Sequence, residues 1–82
     1  MVNLYLISQD ENRRYDTYDS AVVAAMSEDE ARMIRPDGRD TWEGVVSSSC
    51  WCSSPDKVEV EFIGTTDTIE AGTVVIASFN AG

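Results

Sequence analysis

The chain has 82 residues, no His, and a formal net charge of −9 from 15 acidic and six basic side chains. This length predicts a single domain, residues 1–82, with one hydrophobic core, and 43% hydrophobic residues are too many for a disordered acidic tail. The charge disfavours direct binding to nucleic acid or to an anionic membrane, since both need clustered Lys and Arg. No apolar run reaches the roughly 20 residues of a membrane span, and we expect no secretory signal.

The missing His and the two Cys residues argue against catalysis and metal binding. Without His, nucleophile–base pairs of the Ser–His or Cys–His kind cannot form. Cys50 and Cys52 leave a zinc site two ligands short, and a disulfide across one intervening residue would be strained. We therefore predict reduced thiols and no cofactor. A small enzyme that uses paired carboxylates, with or without a divalent cation, is the remaining catalytic alternative.

Two strands are predicted in the N-terminal part of the chain. Residues 2–8 alternate loosely, which is typical of a strand with one face well buried and the other partly buried. Residues 20–26 are apolar on both faces, as expected for a central strand. The alanines of this second strand would let a helix approach closely.

A short helix is predicted over about residues 28–35. Ser27 and Glu30 have the spacing of a capping box, and three acidic residues in the first turn suit the positive end of the helix dipole. The helix must end before Pro36. Because so short a helix is unstable alone, Ala31 and Ile34 are expected to dock it on a sheet.

Three further strands are predicted over residues 45–52, 57–63 and 73–79. In the middle one, Val58, Val60 and Phe62 face one side, and Lys57, Glu59 and Glu61 face the other. The order β-β-α-β-β-β indicates a small α+β fold, a mostly antiparallel meander with the helix on one face. The opposite face would carry Glu59, Glu61 and the serines of the third strand.

Four stretches of the chain resemble small proteins of phage and prophage genomes: NLYLISQ at 3–9, YDTYDSAVV at 15–23, SEDEAR at 27–32 and ASFNAG at 77–82. The resemblance covers roughly the whole chain. Among small acidic phage proteins the best-known class is the anti-CRISPR inhibitors, which typically bind a host nuclease complex and cover its nucleic-acid or partner surfaces, and the chain resembles these by type. The resemblance implies expression in the cytoplasm of a bacterial host. It carries no active-site residues.

Acidic residues supply the candidate partner-binding surface. An acidic protein can occupy the Lys- and Arg-rich grooves that a nuclease or CRISPR effector complex shapes for phosphates, as a nucleic-acid mimic. Glu59 and Glu61 would form a charged row, and the first loop would add a second cluster with two tyrosines as anchors. The alternative is that the charges only keep a small domain soluble. The predicted binding residues are Asp10, Glu11, Tyr15, Asp16, Tyr18, Asp19, Asp56, Glu59 and Glu61.

The predicted function is therefore non-enzymatic inhibition of a bacterial nucleic-acid-targeting defence complex, by a monomer or homodimer that occludes a basic surface. The alternative is a phage structural or assembly protein that self-associates through a strand edge at Cys50, Trp51 and Cys52. Trp51 is expected in the core, because a small domain needs large buried side chains. Trp42 fits the core and the surface equally well.

Overall fold

The fold is a four-stranded antiparallel sheet with one short helix on one face, which confirms the α+β prediction. A computed structural model describes residues 1–10, 17–36, 51–52 and 54–80. The elements are β1 (Val2–Ser8), β2 (Thr17–Ala25), α1 (Glu28–Arg32), a 3₁₀ turn (Pro55–Lys57), β3 (Glu59–Thr66) and β4 (Val74–Asn80). None of the described helices is long and apolar enough to cross a membrane.

The strand order is β3-β1-β2-β4, so the predicted meander is wrong for the second half of the chain. β3 pairs with β1 and β4 pairs with β2, and the connection over residues 67–73 crosses from one edge of the sheet to the other. Three strand spacings amount to about 14 Å. Seven extended residues reach about 23 Å, so this short connection does not oblige β3 and β4 to pair.

The predicted third strand, at 45–52, falls mostly outside the described residues. Its last two residues, Trp51 and Cys52, are described and do not lie in a strand. Both are buried in the core, which confirms the prediction for Trp51. Cys52 is a free thiol that donates to the Ser54 carbonyl oxygen at 3.4 Å. Trp51 and Cys52 therefore do not form the strand edge predicted for self-association, because neither residue lies in a strand.

The hydrophobic core lies between α1 and the face of the sheet that carries Tyr5 and Ile7. Tyr5 is opposite Val23, and Ile7 is opposite Ala21, so alternate residues of the two central strands point into one layer. All four are buried. β1 and β2 each have a neighbouring strand on either side, which confirms the prediction that β2 is a central strand.

Helix α1 is shorter than predicted: it ends at Arg32 instead of Arg35. Ser27 caps it as expected, since its Oγ accepts from the Glu30 N–H at 3.1 Å. The Glu30 carboxylate reaches back to the N–H of Met26, at 3.4 Å, one residue before the one that a standard capping box uses. The Met33 N–H then bonds to the Glu30 carbonyl, a tighter turn that ends the helix ahead of Pro36.

The helix docks as predicted. Ala31 is fully buried against the core, and Ile34 packs against it while partly buried. The Arg32 guanidinium donates to the carbonyl oxygen of Val58, just before β3. Helix α1 is thereby tied to the β3 side of the sheet.

Candidate binding face

The face of the sheet opposite α1, called here the helix-distal face, is built from two rows of side chains that run across all four strands. Strand pairing aligns Leu6 with Glu61 on one side and with Val22 on the other, and Val22 with Ile76. The next row along the strands is polar. These rows are Glu61–Leu6–Val22–Ile76 and Glu59–Ser8–Ser20–Ser78.

The first row changes from charged to apolar across the sheet. Glu61 is exposed at the β3 edge, Leu6 and Val22 are partly buried in the centre, and Ile76 is 67% exposed on β4. A shallow hollow of about 340 Å³ lies over this apolar part and is lined by Leu6, Val22 and Ile76 among others. Neighbouring strands are about 4.8 Å apart, so the charged and apolar ends of the row are about 14 Å apart.

The second row presents hydroxyl groups with a carboxylate at one end. Ser8, Ser20 and Ser78 follow one another across three strands, and Glu59 stands at the β3 edge. A smaller hollow of about 160 Å³ lies where Leu6 and Ser8 meet the two glutamates. The rows offer hydrogen-bond acceptors, hydroxyl groups and apolar contact. Their chemistry suits binding.

Charge on this face has a single sign. Among its described strand residues there are two carboxylates, Glu59 and Glu61, and no Lys or Arg. Two of the three described basic side chains, Arg32 and Arg35, lie on or just after α1, across the sheet from this face. The third, Lys57, is in the 3₁₀ turn before β3.

Several predicted binding residues lie at the same end of the sheet. Asp10 follows the end of β1, Asp19 is exposed at a β-bulge of β2 opposite that end, and Asp56 is in the turn that leads into β3. The Gln9 N–H donates to the Asp19 carbonyl at 3.2 Å, which joins the ends of β1 and β2. This acidic end of the sheet also includes Glu59, opposite Ser8. Glu11, Tyr15 and Asp16 lie outside the described residues.

The other described carboxylates are at the opposite end of the sheet. They are Glu28, Asp29 and Glu30 at the start of α1, and Asp67 and Glu70 in the connection between β3 and β4. Among the described residues, acidic side chains therefore occupy both ends of the sheet, and those on the helix-distal face lie at its β3 margin. The described carboxylates therefore do not form one continuous acidic surface.

The position of Tyr18 and the source of the serines on the helix-distal face differ from expectation. Tyr18, expected to be exposed, is half-buried against the core, and its ring lies 4.8 Å from that of Phe79. Its ring therefore serves packing more than contact with a partner. The serines of the helix-distal face come from β1, β2 and β4, while the predicted ones, residues 47–49, lie outside the described part of the chain.

The pKa of the Asp56 carboxyl group is displaced downward. The Ser54 hydroxyl donates to its carboxylate and lowers the pKa below the usual value for Asp, with smaller contributions from a backbone hydrogen bond and from Lys57. The group is fully exposed, so the charge is stabilised by local hydrogen bonds rather than by burial. These hydrogen bonds therefore favour the ionised form of Asp56.

The described residues offer no preformed metal site: they contain no group of three or more Cys, Asp or Glu side chains placed to hold an ion.

The sequence analysis did not predict the apolar middle of the helix-distal face. The sequence contains a signal for this apolar middle, since Leu4 and Leu6 in β1 and Val22 in β2 make these strands apolar on both faces.

Comparisons with family models, curated proteins and solved structures find no match to this chain.

Proposed function

We propose that the protein is a non-catalytic binding protein whose helix-distal face covers a basic surface of a protein partner. The observation that supports this is the row Glu61–Leu6–Val22–Ile76, which joins a carboxylate margin to an exposed apolar strip. A partner surface with an apolar patch and Lys or Arg side chains beside it would be complementary in shape and charge.

The setting follows from the resemblance to small phage proteins. There the basic surface belongs to a bacterial nuclease or CRISPR effector complex in the host cytoplasm, and the bound protein keeps nucleic acid out of it. The carboxylates would steer the encounter and replace phosphate contacts, and the apolar strip would slow dissociation. The mechanism is occlusion, without covalent chemistry and without a cofactor.

The double substitution Glu59→Lys with Glu61→Lys tests this proposal. Both side chains are exposed on β3, so the variant is expected to fold normally. It should lose at least about tenfold in affinity, because like charges then face the basic surface. The readout is displacement of target DNA from a panel of purified CRISPR effector complexes, measured at low and at high salt.

A matched control variant is Asp67→Lys with Glu70→Lys. It makes the same change in net charge, and both residues are exposed in the connection at the other end of the sheet. It should inhibit as well as the unchanged protein, with circular dichroism showing that both variants are folded. Equal inhibition by the two variants, or no displacement of DNA from any complex by the unchanged protein, would refute the proposal.

A further inference from the structure

The outer edge of β4 differs from the outer edge of β3 because β4 carries no charged side chain. The strand reads Val-Val-Ile-Ala-Ser-Phe-Asn over Val74–Asn80. It is the last strand on its side of the sheet, and no other strand of the described residues lies beyond it. Every second residue of such a strand directs its backbone N–H and C=O groups away from the sheet, where they can pair with another strand.

The side chains of β4 add apolar surface to this edge. Val75, Ile76 and Phe79 are 44%, 67% and 45% exposed. Edge strands that avoid association carry Lys, Pro or inward-pointing charges, and β4 has none of these. The pairing of β4 with β2 is irregular at two places: at Val75, near the start of β4, and at Asp19 of β2, opposite Ser78 and Phe79. The extra residue of the second bulge lies in β2, so residues 76–80 of β4 contain no bulged residue of their own.

We propose that two copies of the chain pair antiparallel through β4, along the run Ile76–Asn80, to form a continuous eight-stranded sheet. A second copy is the occupant that the charges favour. A chain with net charge −9 repels its own copy over most of its surface, and β4 lets two copies meet without placing any carboxylate of the strand opposite another. Pairing through β3 would bring the glutamates of both copies together.

Full overlap of residues 76–80 in the two copies defines the register of this pairing. A two-fold axis at Ser78, the middle residue of the run, places Ser78 opposite the Ser78 of the second copy and Phe79 opposite Ala77. The serine row of the helix-distal face then continues from one copy to the other, and paired hydroxyl side chains are a favourable cross-strand combination. On the other face, the exposed part of the Phe79 ring gains a neighbour over Ala77.

The test is the mass in solution as a function of concentration, by sedimentation equilibrium. The unchanged protein should move from 9.0 kDa towards twice that mass as the concentration rises. Ser78→Glu places two carboxylates opposite each other and should weaken association by about tenfold or more. Thr65→Glu, the matched change of an exposed hydroxyl residue on the β3 edge, should associate as the unchanged protein does.

Mixing oppositely charged variants tests the register itself. Ser78→Lys alone should also associate weakly, whereas an equimolar mixture of Ser78→Lys and Ser78→Glu should form heterodimers, because the opposed residues then attract. The corresponding Thr65 mixture should show no gain. A mass of 9.0 kDa up to millimolar concentration, or association of Ser78→Glu equal to that of the unchanged protein, would overturn the proposal. The result does not depend on Glu59 and Glu61, which lie at the other edge.

Discussion

The two edge strands of this sheet are nearly equal in length but are held and protected differently. β3 is anchored at its start, where Val58 is buried and its carbonyl accepts from Arg32, and along its length, where the Phe62 ring meets that of Tyr5 edge-to-face at 5.8 Å. β4 contributes only partly buried side chains to the core, Val74 and Ala77.

The edges also differ in charge and regularity. β3 carries Glu59 and Glu61 and is interrupted in its middle by a β-bulge at Ile63. These are two of the devices by which natural sheets discourage pairing at an edge. Residues 76–80 of β4 carry no charge and no bulged residue of their own, since the extra residue of the bulge opposite Ser78 and Phe79 lies in β2. One sheet can therefore present one edge suited to charged contacts and another suited to backbone pairing.

The largest predicted effect is a difference in lost stability when a valine at each edge is shortened to alanine. Val58→Ala leaves a cavity in the core and should lower the free energy of unfolding by about 2 kcal/mol. Val75→Ala, in the exposed position of β4, should change it by less than about 0.5 kcal/mol. Urea denaturation at low protein concentration measures both. Equal losses would show that β3 is no better anchored than β4.

The hydrogen bond from Arg32 is the next contribution to test. Arg32→Leu keeps a helix-forming residue and an apolar stem but removes the donor to the Val58 carbonyl, and should cost about 1 kcal/mol. Met33→Leu, a change at the exposed neighbouring position, should leave stability unchanged. If the two variants unfold at the same urea concentration, α1 does not fasten β3 through this bond.

The smallest effect concerns Asp56, in the turn before β3. Ser54→Ala removes the hydroxyl donor, so the pKa of Asp56 should rise towards its usual value, as measured by NMR titration of the carboxyl carbon. A lowered folded-state pKa stabilises the fold above the unfolded-state pKa, and this contribution is lost as the pH falls through the folded-state pKa. The variant should therefore lose less stability on acidification; an unchanged pKa would assign the shift to the backbone instead.

Local patterns predicted the individual elements well. Ser27 and the apolar spacing of Ala31 and Ile34 predicted a capped helix docked on the sheet, and the alternation of Val58 and Val60 with two glutamates predicted which face of β3 is buried. The helix ended early because its last turn tightened ahead of Pro36. Such end effects depend on single hydrogen bonds, which apolar spacing does not reveal.

The candidate site was predicted only in part. Glu59 and Glu61 lie on the helix-distal face, as their alternation in sequence required, since adjacent strand residues point to opposite faces. That Leu6, Val22 and Ile76 would align beside them could not be deduced, because alignment across strands depends on register. A shift of one residue in any strand would turn its apolar side chains to the other face.

Local sequence patterns establish strands and a helix with a defined apolar side, and composition establishes the absence of histidine and the strong negative charge. These properties reside in residue types and their spacing over a few positions. Which strands become the edges, and which margin of the helix-distal face carries carboxylates, are settled by the folded arrangement of the strands. Strand order and register are chosen by the burial of all apolar faces at once, and that choice involves contacts between residues far apart in the chain.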